Sequence, residues 1–324
     1  MRLTVVLPVY NGMPFLPEAL KSILHQTFTD FNVIVVDDGS TDGSAEYLRS
    51  VDDPRVLILS QSNQGPGAAR NASLRRCQSE YVALMDQDDL SLPDRFLYQL
   101  EYLDAHPDVV MVGTRIRFVV GNVTQGALPC PLNHHGIETR LLRARAGVCH
   151  PSLMFRSETA NAIGGYPTGV LGEDLGEDID FCLRMCEHGR AANLDRVLFL
   201  YRLHRGQTVI SRYRQLCRDN RYAVHRAICR RRGEPEPSFH SYAANQSAIT
   251  RWCQSVEAWA IREYRLSIID RAERRPLRGY FRLLTVAAVQ PHWCVWHLRR
   301  LTRDWITGAN RSTAIPLPNP KLRA

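Results

Sequence analysis

The chain contains 324 residues, of which 44% are hydrophobic and 23% charged, a composition that is ordinary for a globular protein and excludes disorder over most of the length. The formal charge of +8 is distributed unevenly: residues 1–211 contain 19 Lys and Arg against 25 Asp and Glu, whereas residues 212–324 contain 22 against eight. No apolar run is long enough for a membrane-spanning helix, and we expect no signal peptide at the N-terminus.

Short apolar segments alternate with helical segments along the first 105 residues. The predicted strands are 3–9, 32–36, 55–59 and 81–85, and the predicted helices are 15–25, 44–50, 67–77 and 94–105. This alternation is typical of a mostly parallel, Rossmann-like α/β sheet with flanking helices on both faces. In such sheets ligands bind beyond the carboxyl ends of the strands, so we expect the functional site there.

The second half of the chain changes from α/β to helical character. Further predicted elements are strands at 109–113, 116–120 and 197–201, a loop at 121–136 and a helix at 179–187. From about residue 213 the pattern is helical and rich in arginine, with a helix breaker at 230–237. We therefore predict an α/β catalytic domain at 1–211 and a basic α-helical C-terminal region at 212–324.

Two acids follow the second predicted strand, in the run Asp37-Asp38-Gly39-Ser40-Thr41-Asp42. Their carboxylates could accept hydrogen bonds from a nucleotide base or from ribose hydroxyls. A turn followed by a helix N-cap is the alternative, because Ser, Thr and Asp are preferred caps. Capping does not require paired acids, however, and adjacent like charges are unfavourable unless a ligand uses them.

A glycine-rich run, Gly65-Pro66-Gly67-Ala68-Ala69-Arg70-Asn71, begins the third predicted helix. Backbone N–H groups at a helix start can face an anion, and Arg70 adds a fixed positive charge. The run matches neither the P-loop nor the dinucleotide-binding pattern, so a simple glycine-rich turn is equally compatible with it.

Three carboxylates follow the fourth predicted strand, in the run Asp86-Gln87-Asp88-Asp89. Without compensation they would repel one another and raise their own pKa values. A hard divalent cation with oxygen ligands removes this repulsion, and diphosphate oxygens can complete its coordination shell. This cluster favours a metal site over a solvated acidic turn.

Four segments, in this order and approximate spacing, resemble family 2 glycosyltransferases of the GT-A fold. The segments are Leu-Pro-Val-Tyr-Asn-Gly at 7–12, Val-Asp-Asp-Gly-Ser-Thr-Asp at 36–42, Ala-Arg-Asn at 69–71 and Asp-Gln-Asp-Asp at 86–89. The resemblance covers roughly residues 1–210. It implies inverting, metal-dependent transfer of a sugar from a nucleoside-diphosphate donor to an acceptor hydroxyl.

The resemblance also implies a set of donor-binding residues. It assigns Pro8 and Tyr10 to the border of the nucleobase, Asp37 and Asp38 to the base or ribose, Arg70 to the neighbourhood of the nucleotide, and Asp86 and Asp88 to the D-x-D site for diphosphate and Mn²⁺ or Mg²⁺. Asp88 is the implied direct metal ligand, and His204 a further ligand or a contact of the leaving diphosphate. A lone histidine is more often structural, and this alternative stays open for His204 and for His150.

An acidic cluster at 177–180 follows the turn Gly164-Gly165-Tyr166. From the residues alone, this is a helix start with Asp178 as a cap and Asp180 paired with Arg184 one turn later. The resemblance implies that Asp178 is the general base and that Gly165, Tyr166 and Glu177 bind the acceptor. Asp174 lies in a nearby duplicate of the acidic pair and is the alternative base.

The basic C-terminal region contains all five tryptophans and apolar stretches at 283–289 and 293–301. Three interpretations compete for it. The helices could pack on the catalytic domain with a solvated basic face, contact an anionic membrane surface, or bind a protein partner.

The resemblance implies as partners a UDP-, dTDP- or GDP-linked sugar and a glycan or lipid-linked acceptor, and a role in cell-envelope or exopolysaccharide assembly. Nine cysteines without a Cys-x-x-Cys pair favour a reduced compartment, so we expect the cytoplasm and the inner face of the cell membrane. The Gln-x-x-Arg-Trp motif of processive synthases is absent from the sequence, which favours a single-transfer hexosyltransferase.

Two rival functions fit parts of the sequence. A nucleotidyltransferase would carry an Arg-Lys-containing glycine-rich loop after the first strand, where this chain has Pro-Val-Tyr-Asn-Gly at 8–12. A nucleic-acid-binding module could use the basic region, but the first 211 residues are acidic and contain no helix-turn-helix or RNA-binding motif, so we expect no nucleic-acid partner.

Overall fold

The structure of the chain is a computed structural model that describes residues 1–121, 123–127, 129–171, 175–273 and 275–289. Within those residues the chain forms nine β-strands and twelve α-helices. The strands are β1 (Leu3–Val9), β2 (Phe31–Asp37), β3 (Val56–Ser60), β4 (Tyr81–Leu84), β5 (Leu90–Ser91), β6 (Val109–Val120), β7 (Val123–Ala127), β8 (Met154–Arg156) and β9 (Arg190–Arg202). The helices are α1 (Leu16–Leu24), α2 (Ser44–Arg49), α3 (Pro66–Leu74), α4 (Arg95–Ala105), α5 (His134–Leu141), α6 (Ser157–Ala162), α7 (Glu177–Cys186), α8 (Thr208–Ser211), α9 (Tyr213–Arg231), α10 (Phe239–Ala244), α11 (Ala248–Ala272) and α12 (Pro276–Val289).

The described strands form one sheet in the order β3-β2-β1-β4-β8-β6-β9-β5, with β7 paired to β6 outside this path. Strands β1 to β4 are parallel to one another, and β6 and β9 run in the same direction as these four. The shorter strands β5, β7 and β8 are antiparallel to their neighbours. The sheet is therefore mostly parallel, as predicted.

Strand β1 lies in the centre of the parallel half because both of its faces are apolar. Leu3, Val5 and Leu7 belong to one core cluster, which includes residues of α1 and α4. Val6 points to the opposite face and belongs to a second cluster, which includes residues of α7 and α9. Alternation of side chains along a strand produces this division, and the prediction for 3–9 is confirmed.

The two strands predicted at 109–113 and 116–120 are a single strand, β6. Polar residues at 114 and 115 interrupt the apolar run in the sequence, which is why it was divided. In the structure Thr114 is buried, and Arg115 pairs with Asp195 at 2.5 Å. The register against β9 shifts at these positions, so the strand continues through a local irregularity.

The prediction of a loop over 121–136 was wrong in part, because this segment contains β7 and the first turn of α5. Strand β7 pairs with β6 and has few apolar residues, so its period-2 signal is weak. Helix α5 begins after Asn133, whose side-chain oxygen accepts a hydrogen bond from Gly136 N at 2.9 Å. Strand β8 and helix α6 had no counterpart among the predicted elements.

Among the described C-terminal helices, α9, α10 and α11 pack against the α/β part, and α12 packs on α11. Helix α9 lies on α7. Arg226 of α9 pairs with Asp180 of α7 at 3.4 Å, and Tyr222 and Leu183 belong to the same hydrophobic core cluster. The predicted breaker is confirmed as the gap between α9 and α10. The predicted boundary between residues 211 and 212 falls between α8 and α9, and the apolar stretch predicted at 293–301 lies outside the described residues.

None of the described helices combines the length and the hydropathy that crossing a bilayer requires.

Candidate active site

The predicted donor-binding residues lie where the parallel strands end. Tyr10 follows β1, Asp37 is the last residue of β2, and Asp86 lies two residues beyond β4. In the sheet, Val9 of β1 is aligned with Asp37 of β2. Because β1, β2 and β4 are parallel neighbours, these residues occupy one edge of the sheet, as expected for a ligand site of an α/β fold.

Asp38 is buried and holds the loop that leads into α3. Its Oδ1 accepts hydrogen bonds from Gln61 Nε2 at 2.7 Å and from Gln64 N at 2.9 Å, and its Oδ2 accepts one from Gly65 N at 2.8 Å. Asp37 is also buried, and its Oδ1 accepts a hydrogen bond from Ser40 N at 3.0 Å. Both acids thus shape the backbone at this edge, a role that the sequence analysis did not assign to Asp38.

Gln87 connects the end of β1 to the acidic cluster. Tyr10 N donates to Gln87 Oε1 at 2.8 Å, and Gln87 Nε2 donates to Tyr10 O at 2.9 Å. A Cβ at Gly12 would lie 2.8 Å from Gln87 Oε1, so the glycine provides the space for this contact. The Tyr10 side chain remains 46% exposed, and Pro8 is half-buried within β1.

Arg70 of α3 bridges two predicted parts of the site. Its guanidinium donates to Asp86 Oδ1 at 3.0 Å through Nη2 and to Glu177 Oε1 at 3.0 Å through Nη1. It also lies over the Tyr166 ring, 5.5 Å from the centroid. Burial alone would lower the pKa of Arg70, but the charges of Asp86 and Glu177 outweigh it and raise the pKa, so the group is a permanent cation.

Asp88 is joined to the segment after β9. Its Oδ2 lies 2.9 Å from His204 Nε2 and accepts a hydrogen bond from Gln207 Nε2 at 3.1 Å. The His204 ring packs against Phe15 at 4.6 Å between centroids, which fixes its orientation. The structure therefore brings together two of the three predicted metal ligands, although they are 116 positions apart in the chain.

The remaining acids of the cluster lack full compensation. Burial raises the pKa of Asp86, with Arg70 opposing and the charge of Asp88 adding to the effect. Asp89 is fully buried; its Oδ1 accepts a hydrogen bond from Arg202 N at 2.9 Å, while its Oδ2 has no hydrogen-bond partner among the described residues. Burial and the charges of Asp88 and Asp86 hold the pKa of Asp89 well above its ordinary value.

No group of three or more His, Cys, Asp or Glu side chains within the described residues is arranged to hold a metal ion. Asp88 and His204 form a pair, and Asp86 is instead engaged by Arg70. A cation at this edge would thus need ligands from a bound substrate as well as from the protein.

The first turn of α7 places Glu177 and Asp178 beside Arg70. Burial raises the pKa of Glu177 to about 7, with Arg70 opposing and the charge of Asp178 adding to the effect. Burial also raises the pKa of Asp178, against its hydrogen bond from Ile179 N at 2.7 Å and the charge of Arg70. Asp174, the alternative base, lies outside the described residues.

The predicted acceptor residues form a packed wall next to α3. Tyr166 stacks on Phe181 at 4.2 Å, and its hydroxyl lies 3.0 Å from His150 Nε2. Burial, with the nearby Arg70 charge, holds the pKa of His150 well below its usual range, so this histidine is neutral and positions Tyr166. Gly165 has a φ of 72°, and a Cβ there would lie 2.5 Å from Asn71 Oδ1, so the turn requires glycine.

Sequence reasoning missed the residues that connect the clusters. Gln87 and Gln207 each contribute side-chain hydrogen bonds to the acidic cluster or to its neighbour Tyr10, and Phe15 supports His204. Nothing in local spacing marks the two glutamines, because their partners lie far away in the chain. Asp180, in contrast, pairs with Arg184 at 2.6 Å, which confirms the predicted i,i+4 pair. The interpretation of Asp178 as a cap was wrong, because α7 begins at Glu177 and its N-cap is Gly176.

The profile of Glycosyl transferase family 2 matches residues 4–162. The chain is 31% identical over 206 residues to the putative glycosyltransferase EpsE of Bacillus subtilis, covering 62% of this chain and 73% of EpsE. It is 30% identical over 208 residues to the amylovoran biosynthesis glycosyltransferase AmsE of Erwinia amylovora, covering 61% and 75%. The match to the chondroitin synthase of Escherichia coli is 28% identical over 225 residues, 68% of this chain, and spans about a third (32%) of that protein's length.

Solved structures with a similar fold include residues 1–349 of S. aureus TarS in complex with UDP-GlcNAc, with a TM-score of 0.55 and 17% identity over 95% of this chain and 92% of that one. The mannosyltransferase PcManGT from Pyrobaculum calidifontis, in complex with GDP-Man and Mn²⁺, has a TM-score of 0.52 and 20% identity over 95% and 84%. These similarities confirm the predicted GT-A fold and its helical C-terminal continuation.

Proposed function

Because the chain belongs to glycosyl transferase family 2 and is therefore a glycosyltransferase, we propose that it moves a sugar from a UDP-, dTDP- or GDP-linked donor to a hydroxyl of a glycan or lipid-linked acceptor. The transfer inverts the anomeric centre, depends on Mn²⁺ or Mg²⁺ and adds one sugar per reaction. We place it in cell-envelope or exopolysaccharide assembly. The names of the relatives, a chondroitin synthase and an amylovoran biosynthesis enzyme, support this placement.

One observation carries the proposal: Arg70 connects Asp86 of the acidic cluster to Glu177 of α7, with both distances at 3.0 Å. The residues predicted for the donor diphosphate and those predicted for the acceptor therefore share one buried cation. Transfer with inversion requires the leaving group and the nucleophile to be held on opposite sides of the reacting carbon. A cluster that spans both predicted half-sites supports such an arrangement.

The edge formed by Tyr10, Asp37 and Asp38 is the proposed nucleoside site. The exposed Tyr10 ring offers an apolar surface to a nucleobase, and the hydrogen bonds from Gln64 N and Gly65 N to Asp38 fix the loop at the same edge. A carboxylate can accept hydrogen bonds from uracil or guanine. The solved neighbours are a complex with UDP-GlcNAc in one case and with GDP-Man in the other, so a panel of donors is the appropriate test.

The ligand atoms that the acidic cluster offers, carboxylate oxygens and an imidazole nitrogen, fit a divalent cation. The contacts of Asp88 to His204 and to Gln207 both end on Oδ2, so the Asp88 carboxylate would still have an oxygen with which to hold the cation. Asp86 and His204 would complete the protein side, and diphosphate oxygens the rest. The bound cation would neutralise the negative charge that develops on the leaving diphosphate.

Asp178 is the proposed general base. Its carboxylate takes the proton of the acceptor hydroxyl as the new bond to the anomeric carbon forms and the bond to the diphosphate oxygen breaks. Burial raises the pKa of Asp178, which makes it a stronger proton acceptor than an exposed aspartate. Attack from the face opposite the diphosphate inverts the anomeric centre, and Asp174 remains the alternative base.

The proposed location is the cytoplasmic face of the cell membrane. Residues 212–324 contain 22 basic against eight acidic side chains, and anionic lipids attract such a region. The described helices of this region also pack on the catalytic domain, so contact with a membrane and contact with the domain occur together.

The test begins with a thermal-shift screen of UDP-, dTDP- and GDP-sugars in the presence of Mn²⁺. A donor present at 100 times its dissociation constant should stabilise the protein by about 2.7 kcal/mol. The stabilising donor is then incubated with candidate acceptors, and the released product is identified. Release of a nucleoside diphosphate is expected; release of pyrophosphate, or the absence of a shift with every donor, would contradict the proposal.

A further inference from the structure

Helix α12 turns its polar side toward the protein. Arg282 donates to Asp270 Oδ2 at 2.8 Å and also pairs with Glu263, and both acids are buried in α11. Gly279 lies so close to α11 that a Cβ would come within 2.6 Å of Arg271 Cγ. Gly279, Arg282 and the buried Val286 are spaced by three and four residues, so they form the inner stripe of the helix.

The opposite side of α12 is apolar and faces outward. Leu277, Tyr280, Phe281 and Leu284 are 85%, 56%, 68% and 68% exposed. Their spacing of i, i+3, i+4 and i+7 places them on one face. This is the reverse of a helix on the surface of a globular domain, whose apolar face is turned inward. Contiguous exposed apolar surface of this kind marks an interaction site.

The charges around the face favour an anionic occupant. Helix α12 contains no Asp or Glu. Arg275, just before the helix, and Arg278, in its first turn, are both exposed, and Arg278 also lies 3.8 Å from Asp270 Oδ2. Arg271 lies under the Tyr280 ring, 6.0 Å from the centroid. A second copy of this chain, docked face to face, would bring these arginines toward one another, whereas anionic lipid headgroups would neutralise them.

The same helix is connected to the active site. Asp270 accepts hydrogen bonds both from Arg282, on the inner stripe of α12, and from Arg205 Nη2 at 2.5 Å. Arg205 directly follows His204, which contacts Asp88. One buried carboxylate thus links α12 to the segment that carries a predicted metal ligand.

The geometry points to α12 as an interfacial anchor: its outer face, formed by Leu277, Tyr280, Phe281 and Leu284, inserts among the headgroups of an anionic membrane. The anchor brings the active site to the lipid surface, where a lipid-linked acceptor is presented. This inference rests on the proposed transfer reaction and names the surface at which that reaction occurs.

Flotation of the full chain with vesicles tests the anchor. We expect binding to vesicles of phosphatidylcholine mixed with phosphatidylglycerol, and much weaker binding to phosphatidylcholine alone. Phe281→Ser combined with Leu284→Ser should lower the partition coefficient about tenfold or more, since apolar area drives insertion. Arg275→Gln combined with Arg278→Gln should lower it roughly fivefold per arginine, and on the anionic vesicles only.

Leu57→Ser is the matched control, because Leu57 is an exposed leucine on β3, at the far edge of the sheet. It should leave vesicle binding unchanged. Equal binding of the wild type and the Phe281→Ser, Leu284→Ser variant would overturn the inference. So would a dimer, seen by light scattering, that the same variant dissociates, because a second copy would then occupy the face.

A marked fall in the melting temperature of the Phe281→Ser, Leu284→Ser variant, measured without vesicles, would also overturn the inference. The outer face of α12 would then be covered by the chain itself. Release of nucleoside diphosphate in the absence of vesicles separates this inference from the proposed function. The face variants should retain that release. A wild type that binds vesicles but turns over no donor would refute the transfer reaction and leave the membrane contact standing.

Discussion

The α/β part and the C-terminal helices differ in how far their acidic side chains are neutralised by nearby cations. At the strand ends, Asp86, Asp88 and Asp89 lie close together and nearby cations do not fully neutralise them. One oxygen of the buried Asp89 has no hydrogen-bond partner among the described residues. Between α11 and α12, Asp270 and Glu263 are matched by Arg205 and Arg282, and the apolar side chains face outward. The unbalanced cluster is suited to a charged ligand, and the balanced one to supporting a surface.

The pKa shifts express the same difference. Burial raises the pKa of Asp86 and Asp89, and each is raised further by neighbouring carboxylates, so the cluster resists full ionisation without a ligand. The pKa of Asp270 is lowered, because hydrogen bonds from Arg205 and Arg282 outweigh the effect of its burial. An acid that is stabilised only after a cation binds indicates a binding site, whereas an acid already stabilised by the protein indicates a structural one.

Replacing the proposed base should have the largest effect. Asp178→Asn removes the proton acceptor but keeps the size of the side chain, so turnover should fall by roughly 10²–10⁴ while the donor dissociation constant changes little. Steady-state kinetics and donor titration measure the two quantities. Near-normal turnover would exclude Asp178 and direct attention to Asp174, for which Asp174→Asn is the matched variant.

Removing Arg70, the cation that the two half-sites share, should destabilise the protein. Arg70→Met leaves the buried Glu177 and the half-buried Asp86 without their partner, which should lower the free energy of unfolding by about 3 kcal/mol above neutral pH. The loss should shrink at acid pH, because Arg70 lowers the pKa of both acids and its removal lets them take up protons at higher pH. Urea unfolding at two pH values measures this.

Arg49→Met is the control for this variant, since Arg49 is exposed and its contacts, with the exposed Glu46 and with Ala45 O, lie within its own helix α2. We expect a change within about 0.5 kcal/mol at both pH values. If Arg70→Met lowered the free energy of unfolding no more than Arg49→Met, the ion pairs of Arg70 with Asp86 and Glu177 would not contribute to stability.

The acidic cluster should control donor affinity through the metal. Asp88→Ala should weaken Mn²⁺-dependent donor binding on the order of 10²-fold, because the carboxylate is the proposed direct ligand. Calorimetric titration of donor with and without Mn²⁺ reports this. Asp108→Ala, at an exposed pair with Arg190, should behave like the wild type. An Mn²⁺ response that survives in Asp88→Ala would assign the metal elsewhere.

The smallest predicted effect is a pH dependence. Glu177, with a pKa of about 7, is ionised above that pH and protonated below it, so its pairing with Arg70 is complete above neutrality and is lost as the pH falls. Turnover should decline severalfold through this range. In Glu177→Gln the decline near pH 7 should be absent, and an unchanged profile would show that another group titrates there.

Much of the catalytic half could be predicted because its signals are local. The limits of β1 follow from an apolar run buried on both faces, and the acids at 37–38 and 86–89 end such runs. Parallel pairing then brings these acids to one edge without further information. Strand β7 escaped prediction because it pairs with β6 outside the main strand order and has little apolar periodicity.

The connections within the site could not be predicted, because they depend on distant pairing. Arg70 and Glu177 are 107 positions apart, and Gln87 contacts a backbone 77 positions away. Periodicity also fails to orient α12. The apolar stretch at 283–289 was recognised, but a stripe pattern does not tell which side faces the protein, and here the buried partners of Arg282 decide it.

The most direct measurement is anomalous diffraction from crystals grown with Mn²⁺ and the donor that stabilises the protein most. The expected result is one manganese peak about 2.0–2.3 Å from a carboxylate oxygen of Asp88 and from diphosphate oxygens of the donor. A donor bound at another surface, or a manganese peak distant from residues 86–88, would contradict the proposed site.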